Sequence, residues 1–229
     1  MENTPTRSFE FWLGVREELP ILLGVVPFGM IYGILALSAG LSPLDAQAMS
    51  SVVFAGSAQF MTANLVIAAT PGLVIILTGF VVNLRHALYS ASIAPYTRHL
   101  PLRWKAVLAY LLTDEAYAVS IVHYRREGEI TYKHWHLLGA GLALWTSWQI
   151  STGVGIFLGR QIPAEWGLDF ALPLTFIALV APGLKDRSGV LTAIVASLAA
   201  ILFFGLPFKL GLIASAFIAI AAGLWSEKK

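Results

Sequence analysis

The sequence predicts an all-α, polytopic integral membrane protein with seven or eight transmembrane helices, and three observations predict it. Apolar residues make up 57% of the 229 positions and charged residues only 12%, whereas a soluble domain carries about a quarter charged residues. Mean hydropathy is +0.74. The apolar residues fall in long runs near the length of about 20 that a bilayer core requires. None of these runs alternates with the period of two that a membrane barrel needs, so helix is the structure that satisfies each backbone in lipid.

Taken in order, the apolar runs lie at about Leu19–Ala39, Ala46–Ala69, Gly72–Pro95, Trp104–Val122, Trp135–Gly159, Phe170–Leu184, Gly189–Gly205 and Leu210–Trp225. The polar stretch before the first run carries Arg7, Arg16, Glu17 and Glu18. That run is too long for a signal-peptide core and is expected to be retained as a span. No stretch is long and polar enough for a soluble domain. Residues 1–229 are therefore expected to form a single transmembrane transporter domain. Trp12, Trp104, Trp135, Trp166 and Trp225 sit near segment ends, where interfacial belts place them.

Loop charges set orientation. Arg7 and Arg16 put the N-terminus in the cytoplasm. Eight spans would also put Arg125, Arg126 and Lys133, then Lys185 and Arg187, and finally Lys228 and Lys229 on that side. The loop with Arg98, Arg103 and Lys105 then falls outside and breaks the rule, unless a neighbouring segment is re-entrant or broken. Gly29-x-x-x-Gly33 before Pro43 and Phe54 echoes Gly155-x-x-x-Gly159 before Pro163 and Phe176. This layout suggests repeat halves at 1–123 and 135–229, and small residues at that spacing let helices approach closely in lipid.

The informative residues are those a bilayer should exclude. Arg85 and His86 lie near the middle of the third run, and Asp114 and Glu115 near the middle of the fourth. A charge at a helix centre costs about 2.5–3.5 kcal/mol to insert, so these groups must face one another, a polar cavity or water. Arg85 is expected to pair with Asp114 or Glu115. One reading is an ion pair that only fixes helix registry; the other is a substrate or proton site, because intramembrane charges line pathways. A double carboxylate beside a histidine is also what proton coupling needs.

In the second run, Ser50, Ser51, Gly56, Ser57 and Gln59 interrupt the apolar residues at mid-depth. A helix that unwinds near Gly56-Ser57 would expose backbone groups able to hold a zwitterion. Packing through small residues, with Gln59 as interhelical glue, is the competing reading. Pro27-Phe28-Gly29 reads as a kink. Gln149 with Thr152, and Ser147 with Ser151, share faces of the fifth run and are expected to make interhelical hydrogen bonds.

Other chemistries are excluded or disfavoured. No phosphate-cradling glycine loop and no dinucleotide fingerprint is present. The five histidines lack metal-ligand spacing, there are no cysteines, and the basic residues form no stripe for nucleic acid. No cofactor and no metal is expected. Ser57 with His86 could imitate a hydrolase dyad, but the surrounding sequence points elsewhere.

The strings Val53-Phe54-Ala55-Gly56-Ser57-Ala58-Gln59-Phe60, Asn83-Leu84-Arg85-His86-Ala87-Leu88-Tyr89 and Leu112-Thr113-Asp114-Glu115-Ala116-Tyr117, with Pro27-Phe28-Gly29 upstream, resemble the AzlC family in order and spacing. The resemblance is dense over roughly the first 120 residues. It implies the large subunit of a bacterial exporter of branched-chain amino acids, acting in the inner membrane with a small AzlD-type membrane subunit. The resemblance assigns no residue roles; the chemistry of the side chains does, and on that ground Ser57, Gln59 and Asn83 are expected to bind the amino acid's polar ends. Arg85 holds a carboxylate, alternately that of Asp114 or Glu115 and that of the substrate. His86, Asp114 and Glu115 carry or gate a proton, and Phe28, Phe54 and Phe60 accept the apolar side chain. A scaffold role and uptake of apolar amino acids are the competing expectations.

Overall fold

The structure, a computed structural model, describes residues 6–125, 132–161, 184, 187–205 and 210–227. The expected run Phe170–Leu184, apart from Leu184, lies outside the described residues. So do Arg126, Pro163, Trp166, Phe176, Lys185, Lys228 and Lys229. Among the described residues the regular structure is helical, without a strand, as the hydropathy predicts. The chain divides into two compact units, 1–168 and 169–229.

In the first unit α1 spans Arg7–Ser38, α2 Pro43–Val52, α3 Gly56–Ile67, α4 Gly72–Asn83, α5 Arg85–Thr97, α6 Leu102–Leu111, α7 Asp114–Tyr124 and α8 Lys133–Gly159. Two lengths of element follow from this. α1 has 32 residues, α8 has 27, and α4 with α5, parted only at Leu84, covers 26. At 1.5 Å per residue each exceeds the bilayer core of about 30 Å. α2, α3, α6 and α7 have only 10 to 12 residues each, which is about half that thickness.

The half-length helices fold as two hairpins rather than as crossings. Trp104 at the start of α6 packs on His134 and Trp135 at the start of α8, with ring centroids 5.0 and 5.1 Å apart. Further along, Tyr110 meets Trp145. α6 therefore runs beside α8 from the face where α1 and α8 begin, the entry face. After the break at Leu112-Thr113, α7 returns: Asp114 lies at depth and His123 is back beside Glu10 on the first turn of α1. In the other hairpin α2 descends from the far face, with Ala46 bound to Tyr32 and Ser50 to Thr152. Gln59 of α3 then reaches back to Ser50, and Phe60 stacks on Phe28 and meets Tyr32. α3 therefore climbs again toward the far face.

This arrangement accounts for the loop that broke the charge rule. The α4–α5 crossing ends at the entry face, where Tyr96 packs against Tyr124 and under Lys133. Arg98, Arg103 and Lys105 consequently lie on the same side as Arg7, Arg125 and Lys133. The runs Ala46–Ala69 and Trp104–Val122 each fold as two short helices around a break, and the elements α1–α3 and α4–α7 repeat one pattern in opposite directions: a long helical element, then a hairpin. Inverted repeats of this kind recur in secondary transporters.

α1 and α8 form the spine of the unit. They run parallel, and their backbones come close enough that a Cβ on Gly33 would meet the backbone of Thr152, Gly155 and Ile156, while one on Gly155 would meet that of Met30. The two small-x-x-x-small motifs seen in the sequence thus pack on each other. Pro20 and Pro27 lie inside α1 without breaking it. α4, by contrast, has no buried residue.

In the second unit α9 spans Arg187–Leu202 and α10 spans Leu210–Glu227. They pack antiparallel. Ser188 bonds the carbonyl of Gly223 at 3.3 Å, and Gly211 abuts Phe203.

Candidate functional site

The breaks of three helices converge on Arg85. The first hairpin turns at Val53–Ala55, where Phe54 takes φ +41, a left-handed conformation that costs a non-glycine residue about 1–3 kcal/mol. The α2 carbonyls left open by the break are met from α6 and α8. Tyr110 Oη donates to the carbonyl of Ser51, Trp145 Nε1 donates to Tyr110 Oη at 2.7 Å, and Gln149 Nε2 donates to the carbonyl of Ser50 at 3.0 Å. The second hairpin turns at Leu112-Thr113. The α4–α5 crossing is interrupted at Leu84.

Each break leaves a helix N-terminus within the first unit: Gly56 of α3, Arg85 of α5 and Asp114 of α7. None of the three is capped by a side chain. Arg85 joins them. Its Nη2 donates to Ser57 Oγ at 2.5 Å and its Nη1 pairs with Asp114 Oδ2. The expected Arg85–Asp114 pair is present, with side chains 31% and 35% exposed, so it borders an opening rather than a sealed core. Beside it, Asn83 Oδ1, Arg85 Nε, His86 Nε2, Thr113 Oγ1 and Asp114 Oδ1 are buried and meet no hydrogen-bonding group among the described residues. Five such atoms around one ion pair are costly to leave unmet.

Ser57, Asn83, Arg85, His86, Asp114 and Glu115 therefore gather where the structure breaks its helices. Gln59 lies elsewhere. It is fully buried, donates to Ser50 Oγ at 3.0 Å and accepts from Trp148 Nε1 at 3.1 Å. Gln47, Ser51 and Gln149 continue that network. Of the three phenylalanines expected to accept an apolar side chain, Phe28 and Phe60 stack at 4.3 Å, and the rings of Phe28 and Trp148 cover Gly56. Phe54 is buried against Tyr110 instead. On the entry side a cavity of about 310 Å³ runs between α5 and α6, with Arg98 and Lys105 among its lining residues and Leu112, next to the second break, at its inner end.

The sequence reading missed a second group of ionisable residues. Glu10, Glu17 and Glu18 fall in the stretch assigned as polar N-terminus, and His123 and His136 are among the histidines dismissed for spacing. The structure stacks the two imidazoles at 4.0 Å. His123 Nε2 lies 2.8 Å from Glu10 Oε2, and His136 Nε2 lies 3.0 Å from Glu17 Oε2. The signal available was a matched spacing, Glu10 to Glu18 and Glu115 to His123 each eight residues apart.

Comparisons with known proteins bear on this arrangement. The AzlC protein family model matches residues 20–162, a stretch holding both hairpins and every residue around Arg85. The chain is 27% identical to the inner membrane protein YgaZ of Escherichia coli over 95% of its own length and 93% of that protein. It is 31% identical to an uncharacterized membrane protein of Archaeoglobus fulgidus over 80% of both chains. It is 26% identical to the branched-chain amino acid transport protein AzlC of Bacillus subtilis, over 86% of this chain and 79% of that one. No solved structure matches. The family match takes in well over half the chain and its whole candidate site, and the chain is an AzlC-family membrane protein with a role in transport.

Proposed function

We propose that this chain is the transporting subunit of a secondary exporter of branched-chain amino acids, with its entry face in the bacterial cytoplasm. The observation that carries the reading is the set of unmet polar atoms around Arg85 and Asp114. They match the two ends of a zwitterion. The substrate carboxylate accepts from Arg85 Nε and from the uncapped N-terminus of α3 beside Ser57, where the helix dipole favours an anion. The ammonium donates to Asn83 Oδ1, Thr113 Oγ1 and Asp114 Oδ1. Phe28, with Phe60 behind it, receives the apolar side chain, and such a wall discriminates by only about 1–3 kcal/mol per methylene. Gln59 holds α3 in place from the other side of this wall.

The orientation rests on the gathering of Arg7, Arg98, Arg103, Lys105, Arg125 and Lys133 at one face, the side that basic loops favour. Arg98 and Lys105 then stand at the cytoplasmic mouth of the cavity that leads toward Leu112. Asp114 and Glu115 exchange a proton as the substrate leaves, and Arg85 releases Asp114 when a substrate carboxylate takes its place. His86 gates that exchange. A small AzlD-type subunit covers part of the lipid-facing surface.

The test is counterflow of labelled leucine in proteoliposomes holding this chain with its small partner. Native protein exchanges leucine, isoleucine and valine, and Arg85→Ala abolishes exchange while inserting normally. Undiminished exchange by a folded Arg85→Ala variant overturns the site. Exchange by the small partner alone assigns transport to the partner and makes this chain a scaffold.

A further inference from the structure

On the reading just given, we infer that Glu10, His123, His136, Glu17 and Glu18 form a proton conduit from the entry face to Glu115, a second functional site apart from the substrate centre. Its ligand is the proton. The conduit follows from the register of three helices. α1 and α7 run antiparallel, so Glu10 stands opposite His123 at 2.8 Å, and Glu18, eight residues on, comes level with Glu115, eight residues before His123. These two rungs lie about 12 Å apart along the helix axes. His136 and Glu17 join the outer rung from α8 and α1, with their proton-binding atoms and that of His123 all within 4.8 Å of one another. One water spans such a gap.

The burial argues for function over packing. Glu10 and His123 are 2% and 3% exposed, and Glu18 is fully buried. Neither oxygen of Glu18 meets a hydrogen-bonding group among the described residues, and neither does Ser120 Oγ, which sits on α7 between the two rungs. A carboxyl kept this way is costly, and in a membrane bundle such groups mark pathways. The inner rung ends at Glu115, the neighbour of Asp114. Protons thus arrive at the substrate centre along α1 and α7, separately from the cavity between α5 and α6.

The stacked rings suit protons better than a shared ion. Their centroids are 4.0 Å apart and their planes within 9° of parallel, so their in-plane lone pairs point side by side and not toward one point. In a cycle, a proton bound at Glu18 or Glu115 leaves by way of Glu17, His136, His123 and Glu10, or enters by the same route. Each group regains its starting state, so one proton crosses per passage and no bond other than O–H or N–H is made or broken.

The experiment separates coupling from substrate binding. Proteoliposomes with native protein and its small partner are assayed for leucine counterflow without a gradient, and for leucine accumulation driven by an imposed pH gradient. Glu18→Gln is expected to keep counterflow within about twofold of native and to lose gradient-driven accumulation by tenfold or more. Glu10→Gln, at the start of α1, is expected to slow that accumulation in the same direction. It serves as the readout if Glu18→Gln does not fold. An internal pH dye in native vesicles reports a proton flux that tracks leucine flux. Normal gradient-driven accumulation in these variants, or leucine flux in native vesicles without proton movement, overturns the conduit alone. Failure of native protein at counterflow overturns the transport reading and the conduit with it.

Discussion

Tyr110 of α6 donates its phenolic proton to the backbone carbonyl of Ser51 in α2, so the tip of one hairpin is tied to the tip of the other. Trp145 of α8 donates to the same phenol and fixes its position against the spine. The contact closes over the unwound turn at Phe54, which would otherwise leave a carbonyl unmet at mid-depth in the bundle. The tie bears on the site because Arg85 bonds Ser57 beside one tip and Asp114 beside the other.

Tyr110→Phe removes the donor and keeps the ring. A single hydrogen bond is worth about 1 kcal/mol, so leucine exchange is expected to fall roughly fivefold with normal membrane insertion. The measurement is the initial rate of counterflow for native and variant at matched protein density. An unchanged rate would mean the tips are held by packing alone.

Arg85 and Asp114 are expected to serve both fold and transport, and exchanging their charges separates the two. Asp114→Asn leaves Arg85 without its anion, and Arg85→Ala leaves Asp114 without its cation. For a pair about a third exposed, either loss costs well below the 3–5 kcal/mol of a sealed pair. Both variants therefore insert with reduced thermal stability in detergent. The double variant Arg85→Asp with Asp114→Arg restores stability, and it does not restore exchange, because the cation no longer stands between Ser57 and α7. Recovery of exchange in the double variant would reduce the pair to a structural brace.

Much of the site was readable from residue chemistry. Four ionisable side chains inside apolar runs are costly enough that their meeting could be expected, and Gly56-Ser57 marked a helix break. The hairpins were not readable from length, since Ala46–Ala69 and Trp104–Val122 are as long as true crossings. Their trace was indirect, in the loop of Arg98, Arg103 and Lys105 that broke the charge rule. The acid and histidine group stayed hidden for another reason. Glu10 and His123 are 113 residues apart, and only the antiparallel register of α1 and α7 makes their spacings coincide. Gln59 was ambiguous because an amide serves equally well as ligand or as glue, and only its neighbours Ser50 and Trp148 distinguish the two.

The α1–α8 spine predicts where bulk is forbidden. Gly155→Leu forces a side chain into the backbone of Met30, and Gly33→Leu forces one into that of Thr152 and Ile156. Backbone cannot give way as a side chain tip does, so each is expected to cost more than the usual 1–3 kcal/mol of overpacking and to abolish stable insertion. Gly79→Leu on α4 meets nothing within 4 Å and should leave yield and exchange unchanged. Size-exclusion profiles of the three variants in mild detergent make the comparison.

The hairpins make a topological prediction that needs no transport assay. The chain has no cysteine, so single cysteines can be labelled against a silent background with a membrane-impermeant maleimide. Ser8→Cys reports the entry face and Ser38→Cys the far face. If both short-helix pairs fold back, His99→Cys labels from the same side as Ser8→Cys, and Ala68→Cys from the same side as Ser38→Cys. If instead α2–α3 and α6–α7 cross the bilayer, both assignments reverse, with His99 opposite Ser8 and Ala68 on its side. Two loops are thus expected to move together, and no intermediate pattern fits either arrangement. Labelling of His99→Cys only from the side of Ser38→Cys would remove the α2–α3 hairpin. The shared face of Arg98, Arg103 and Lys105 with Arg7 would go with it, and so would the convergence of three helix N-termini on Arg85.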